Sequence, residues 1–176
     1  MIGINLTMGE CYDSPIRGKN YKFVDAVDIA RLYADGFRHF RLLVTPWWLT
    51  NLQYQEDFQK CFKEILSRSD THVLVDCHGG KDVTFGAWRV GTAYVPMNTP
   101  QVIAKVVDFV AKVSVLAGDN LHRVCVSPTN EPIPSLYATP KAWYDAASEF
   151  IAGVRRISNI KLSIPGYHWS SISHWD

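Results

Sequence analysis

The sequence predicts an α/β fold with a parallel sheet, and two observations support this prediction. Five short runs of apolar and β-branched residues alternate along the chain with four segments whose apolar residues recur at helical spacing. A helix, rather than a tight hairpin turn, leads from each of the first four predicted strands to the next strand. Such connections are typical of right-handed crossovers between parallel strands.

The predicted elements follow one another without a linker, a repeat or a low-complexity tract. Gly36 and Gly118 indicate the ends of the first and third helices. The pairs Thr99-Pro100 and Thr139-Pro140 indicate the starts of the third and fourth helices. The predicted strands are residues 2–6, 39–44, 72–77, 122–127 and 160–165, the predicted helices are residues 23–34, 58–66, 99–117 and 139–154, and residues 78–98 are predicted to form a loop.

Length and composition limit the classes of protein that the chain can represent. We expect the 176 residues, 47% of them hydrophobic, to form one domain with a proper core. A formal charge of +1 gives no electrostatic reason to expect nucleic acid or an anionic membrane as a partner. No apolar run approaches the ~18 residues that span a bilayer, and we expect no signal peptide at the N-terminus. The four cysteines lack the spacing of a zinc site.

The position of the polar residues favours a (β/α)8 barrel over an open doubly wound sheet. The first strand is not followed by a glycine-rich phosphate-binding motif, so no nucleotide cofactor is predicted. The candidate site residues instead follow several different strands, and a barrel gathers these strand ends around one mouth. They are Arg41 on the second strand, Asp76 and His78 on the third, Asn130 and Glu131 after the fourth, and His168 and Trp169 after the fifth.

Five motifs in this order resemble the cellulase-like glycoside hydrolases of family 5, a family of retaining barrel enzymes. The motifs are Gly3-Ile4-Asn5, Phe40-Arg41-Leu42-Leu43-Val44, Val73-Leu74-Val75-Asp76-Cys77-His78, Thr129-Asn130-Glu131-Pro132 and Ile164-Pro165-Gly166-Tyr167-His168-Trp169. The resemblance runs along nearly the whole chain. It implies hydrolysis of a β-linked polysaccharide by double displacement, with Glu131 as the general acid/base. It also implies that Asn130 binds the sugar 2-hydroxyl and that Arg41 and His78 line the floor of the site.

The resemblance also implies a nucleophilic glutamate on the seventh strand of the barrel. Only 45 residues follow Glu131 (176 − 131), and one helix and the fifth strand use them. We therefore expect a partial barrel, spanning residues 1–176, with about five strands and four helices and without the nucleophile. Such a fragment would be inactive alone, would leave Arg41 without that partner, and could self-associate through its open edge. Members of the family are often secreted, but the sequence does not indicate a compartment.

Tryptophans near the predicted mouth are candidates for stacking on sugar rings. Trp47 and Trp48 follow the second strand, Trp88 lies in the long third loop, and Trp169 follows the fifth strand. Trp143, at helical spacing, is predicted to belong to the core.

Two other functions stay open at this point. Asp76, His78 and Glu131 could bind a metal, because the first two lie two residues apart on one strand. The chain could also be a non-catalytic carbohydrate-binding remnant that uses its tryptophans.

Overall fold

The structure, a computed structural model, describes residues 3–6, 15–45, 50–78, 83–84, 87–132 and 135–167. In chain order its elements are β1 (Gly3–Leu6), α1 (Ala26–Ala34), β2 (His39–Val44), α2 (Leu52–Leu66), β3 (His72–Cys77), β4 (Val83–Thr84), β5 (Ala87–Val90), β6 (Ala93–Pro96), α3 (Pro100–Ala117), a 3₁₀ helix (Gly118–Arg123), β7 (Val124–Ser127), α4 (Pro140–Arg155) and β8 (Lys161–Leu162).

The main sheet has five parallel strands in the order β1-β2-β3-β7-β8. Each strand along the chain adds to the same side of the one before it, as successive strands of a barrel do. The α/β prediction with five parallel strands and intervening helices is therefore confirmed. Strands β2 and β3 have the predicted bounds, whereas β8 is shorter than predicted.

The helices cover one face of this sheet. Their buried residues recur at helical spacing, as in α2, where Tyr54, Phe58, Phe62 and Ile65 are fully buried. Side-chain caps stabilise the starts of three helices, with Asp25 accepting from the backbone of α1 and equivalent bonds at α2 and α4. In the described part of the chain, no helix is both long and apolar enough to cross a membrane.

The predicted loop over residues 78–98 is wrong, because this part of the chain contains a small antiparallel sheet. Strands β4, β5 and β6 pair in sequence order, and Trp88 on β5 lies opposite Val95 on β6. The strands have two to four residues each. Such short strands carry too little alternation to be recognised in the sequence.

The fourth predicted strand begins two residues later than expected, because residues 122 and 123 belong to the 3₁₀ helix. Arg123 is 7% exposed, and its guanidinium donates to the carbonyls of Leu66, Arg68 and Thr71. These bonds tie the end of α2 to the start of β7. The guanidinium needs such bonds because a buried charge without partners is costly.

Candidate active site

The carboxyl ends of β3 and β7 bring two predicted site segments to neighbouring positions. Asp76 pairs in register with Ser127, so the residues after each strand leave the sheet side by side. His78 follows β3, and its backbone N–H donates to β2 at 2.9 Å, which extends the strand pairing by one residue. Asn130 and Glu131 follow β7, and both are half-buried.

The main sheet has an outer face against the helices and an opposite inner face. Side chains alternate between the two faces along each strand. Leu42 and Val75 lie on the outer face and are fully buried in the hydrophobic core. On β2, β3 and β7, the inner face carries the alternate residues His39, Arg41, Leu43, His72, Leu74, Asp76, Cys125 and Ser127. Arg41 therefore lies on the inner face, as the barrel prediction requires.

On the inner face, Arg41 forms an ion pair with Asp76 of the neighbouring strand. Arg41 Nε donates to Asp76 Oδ2 at 2.9 Å, and Nη2 donates to the same oxygen. The Asp76 side chain is 2% exposed and that of Arg41 is 31% exposed. Burial raises the pKa of the Asp76 carboxyl and outweighs the opposing effects of Arg41, His78 and Ser127. Arg41 is therefore paired within this chain, with Asp76 rather than with the nucleophile that the resemblance implies.

Two buried oxygens close to this edge of the sheet have no hydrogen-bond partner in the described part of the chain. They are Oδ1 of Asp76 and Oγ1 of Thr129. Thr129 lies two residues after the end of β7, and Asp76 lies in register with the last residue of that strand, Ser127. Buried polar atoms are nearly always paired, and unpaired ones often mark the position of a water or a ligand. The carboxyl ends of β3 and β7 therefore carry two oxygen atoms that could accept hydrogen bonds from a bound hydroxyl group.

Glu131 has a strained backbone. Its φ of +48° lies in the left-handed region, and among the described residues other than glycine no further residue has a positive φ. Pro132 follows, and a residue before proline normally prefers an extended conformation. Such strain costs about 1–3 kcal/mol and is concentrated at functional sites. The surrounding structure must therefore hold Glu131 in place.

Trp88 is buried rather than exposed at a mouth. Its side chain is 1% exposed and packs edge-on against Phe109 of α3, with ring centroids 6.3 Å apart. Its indole Nε1 donates to the carbonyl of Pro128 at 2.9 Å. Because no face of this ring is open, the prediction that Trp88 stacks on a sugar ring is wrong. The residue instead contacts the backbone that leads to Glu131.

Three further aromatic residues hold the segments after β7 and β8. Tyr137 accepts a hydrogen bond from the backbone N–H of Met97 at 2.9 Å, and Tyr167 donates to the Tyr137 carbonyl at 2.8 Å. Trp143 is fully buried, as predicted, and donates to the Pro165 carbonyl at 2.9 Å. Sequence analysis gave no role to Tyr137 or to Tyr167, although Tyr167 lies in the fifth motif, because neither belongs to a periodic pattern.

Several predicted residues lie outside the described part of the chain. These are Trp47 and Trp48 after β2, and His168 and Trp169 after β8. Their proposed contacts with sugar stay predictions.

The metal alternative is not favoured by the side-chain geometry. Among the described residues, no group of three or more His, Cys, Asp or Glu side chains is arranged to hold a metal ion. Asp76 instead contacts Arg41, whose positive charge occupies the place that a cation would take. Asp76, His78 and Glu131 therefore do not form a metal-ligand set.

Among the comparisons with known proteins, the similarity to solved structures supports the fold. No protein-family model matches the chain, and no curated protein matches its sequence. Similar solved structures include the endo-beta-1,4-glucanase Xac0029 of Xanthomonas axonopodis pv. citri, with a TM-score of 0.75 and 18% identity over 98% of this chain and 54% of that one. The endoglucanase Cel5A of Pseudomonas stutzeri, in complex with cellobiose, has a TM-score of 0.72 and 18% identity over 98% and 52%.

A third similar structure is the endoglucanase Cel5A of the hyperthermophile Thermotoga maritima. Its TM-score is 0.66 at 16% identity, over 97% of this chain and 53% of that one. The chain therefore spans about half the length of the solved structures that it matches. Its five-stranded α/β fold corresponds to part of the barrel of these endoglucanases.

Proposed function

We propose that this chain is the N-terminal part of the catalytic barrel of a retaining, cellulase-like glycoside hydrolase acting on a β-linked glucan. One observation carries the proposal. The segment Asn130-Glu131-Pro132 leaves the fourth strand of a sheet whose fold matches endoglucanases along nearly the whole chain. The left-handed backbone of Glu131 supports it, because strain of this kind accumulates at functional sites.

In this proposal Glu131 acts twice. It first protonates the oxygen of the leaving sugar, and it then removes a proton from the water that hydrolyses the glycosyl-enzyme intermediate. The half-buried position of Glu131 allows both substrate and water to reach it. Double displacement also needs a second carboxylate about 5–5.5 Å from the first. The resemblance assigns that nucleophile to a seventh strand, so the reaction also requires strands other than the five described here.

The other predicted residues bind and orient the sugar. Asn130 would donate its side-chain amide to the 2-hydroxyl, and His78 would contact a hydroxyl from the end of the neighbouring strand. Arg41 lies at the floor of the site, where Asp76 fixes the guanidinium from one side. With 31% of its side chain exposed, Arg41 remains accessible from the inner face.

The test uses a barrel closed with the remaining strands of a similar endoglucanase. We expect Glu131→Gln to lower the rate on unactivated cello-oligosaccharides by about 10²–10⁴-fold, the usual contribution of a general acid. A substrate with a good leaving group needs little protonation, so its first step should slow much less. Glu149→Gln, an exposed glutamate in α4, is the matched control and should retain full activity. Equal loss on both substrates, or no loss on either, would show that Glu131 is not the proton donor.

Binding by the 176-residue chain itself gives a second measurement. Titration with cellobiose, followed by NMR, should shift the amide signals of His78 and Asn130. Binding that is unchanged in Glu131→Gln, together with no turnover by the closed barrel, would favour a non-catalytic carbohydrate-binding protein.

A further inference from the structure

The strained conformation of Glu131 needs a physical cause outside its own residue. Pro132 opposes this conformation, because a residue before proline prefers an extended backbone. The contacts that hold the segment must therefore come from its neighbours in space.

The first contact comes from the small antiparallel sheet. Trp88 Nε1 donates to the Pro128 carbonyl, three residues before Glu131. The donor is buried within the hydrophobic core, and the bond joins residues that are 40 positions apart. Within the same segment, Ser127 Oγ donates to the Thr129 carbonyl at 2.8 Å and tightens the turn.

The second contact lies beyond Glu131 and also involves the small sheet. The backbone N–H of Met97, directly after β6, donates to the hydroxyl of Tyr137. The Tyr137 ring packs edge-on against Trp143 at 5.1 Å, and the Tyr137 side chain is 3% exposed. The small sheet therefore holds the chain at Pro128 before the acidic residue and at Tyr137 after it.

We propose that the small sheet β4–β6 is a positioning device for Glu131 and that Trp88 is its principal positioning residue. This inference rests on the proposed function for its catalytic consequence, but not for its structural one. Trp88 touches neither the sugar nor the reacting atoms in this arrangement. It acts by fixing the Pro128 carbonyl, and thereby the direction in which the chain presents the Glu131 carboxyl group.

Trp143 offers a matched comparison within the same chain. It is also a fully buried tryptophan whose indole N–H donates to a proline carbonyl at 2.9 Å. Its partner, Pro165, follows β8 and lies far from Glu131 in sequence. Trp88→Phe and Trp143→Phe therefore remove the same kind of bond and the same ring volume, but only Trp88→Phe removes a bond to the segment of Glu131. Trp143 also packs against Tyr137, and Trp143→Phe keeps an aromatic ring at that contact.

The experiment compares both variants in the 176-residue chain by amide NMR and by unfolding in urea. Both variants should lower the unfolding midpoint to a similar extent. Trp88→Phe should in addition shift or split the amide signals of residues 129–131, which Trp143→Phe should leave in place. Unchanged signals for residues 129–131 in Trp88→Phe, or equal changes in both variants, would overturn the inference. Should Trp88→Phe not fold, Tyr137→Phe, which removes the hydroxyl that accepts from Met97, tests the other contact of the small sheet, and unchanged signals for residues 129–131 in that variant would overturn the inference.

The catalytic consequence is measured in the closed barrel that tests Glu131. There, Trp88→Phe should slow unactivated oligosaccharides by about tenfold, as expected for loss of one such bond worth about a factor of ten. The same variant should lower the rate on substrates with a good leaving group much less. Trp143→Phe should change the rates on both kinds of substrate by the same factor. If Glu131→Gln leaves the hydrolysis rate unchanged while Trp88→Phe still shifts the amide signals of residues 129–131, the proposed function is wrong but the positioning role of Trp88 is retained.

Discussion

Asp76 accepts both bonds from Arg41 through a single oxygen, Oδ2, while its second oxygen is buried without a partner in the described part of the chain. The pair joins β3 to β2 across the inner face. A carboxylate with one unsatisfied oxygen is poorly solvated. Burial therefore raises the pKa of Asp76 in spite of the nearby guanidinium.

The raised pKa of Asp76 predicts a particular pH dependence of stability. Above its ordinary value of about 3.9, the folded state still holds a proton that the unfolded state has lost. The contribution of Asp76 to the free energy of unfolding therefore falls as pH rises from about 4 through the higher folded pKa. We expect Asp76→Asn to gain stability relative to the original chain across this window, measured by urea unfolding at a series of pH values. An advantage of the original chain that grows with pH would contradict this.

Asp70 is the control with the opposite sign. Burial alone would raise its pKa, but hydrogen bonds from Tyr33 and Arg38 outweigh that effect and lower it. The stability that Asp70 contributes is therefore present above its ordinary pKa and is lost as pH falls through the lowered value. Asp70→Asn should accordingly lose stability relative to the original chain as pH rises.

The buried Thr129 hydroxyl predicts a neutral or stabilising substitution. Its Oγ1 is fully buried and unpartnered within the described residues, so folding removes it from water without compensation. Thr129→Val keeps the shape and should leave the free energy of unfolding unchanged or raise it. Ser127→Ala, two residues earlier, removes a real bond to the Thr129 carbonyl and should cost about 0.5–1.5 kcal/mol. A clear loss of stability in Thr129→Val would show that the hydroxyl has a partner in solution, such as a bound water.

His72 should make the sheet sensitive to mild acid. Burial lowers its pKa, and the positive charges of His39 and Lys161 act in the same direction. The rings of His72 and His39 stack with centroids 4.9 Å apart. Below the ordinary histidine pKa of about 6.5, the unfolded chain takes up a proton more readily than the folded one. The stability contributed by neutral His72 is therefore lost as pH falls from about 6.5.

Denaturant unfolding between pH 7.5 and 5 tests this prediction about His72. His72→Gln should reduce the acid-induced loss of stability relative to the original chain. An unchanged loss in His72→Gln would assign the effect to other groups.

We expect the chain to self-associate through the two outer strands of its main sheet. β1 and β8 each pair with one neighbour, so each leaves one edge of backbone N–H and C=O groups without a strand within the described part of the chain. Exposed edges of this kind pair readily with other chains. Light scattering should show a mass that increases with concentration. A monomer with one cooperative unfolding transition at all concentrations would contradict this.

Sequence reasoning succeeded where strands are long and failed where contacts are distant. The runs at residues 39–44 and 72–77 are mostly apolar and uninterrupted by glycine or proline, and the structure has the same bounds. The pairing of Arg41 with Asp76 depends on the register of two strands, which local patterns do not specify. The burial of Trp88 depends on the small sheet that the prediction missed. An amphipathic ring alone does not show whether its face is open or covered.

The two bonds that hold the chain on either side of Glu131 each span 40 residues. Bringing such distant positions together costs chain entropy before any contact repays it, so these bonds should form late in folding. The ribosome completes Trp88 about 2–8 s before Pro128, at the usual synthesis rate of about 5–20 residues per second. The residues of the small sheet, whose contacts join close neighbours in sequence, are therefore synthesised before Glu131. Errors in folding that spare the five-stranded sheet but delay the small one would yield protein that looks native by its helix content and presents Glu131 in the wrong direction.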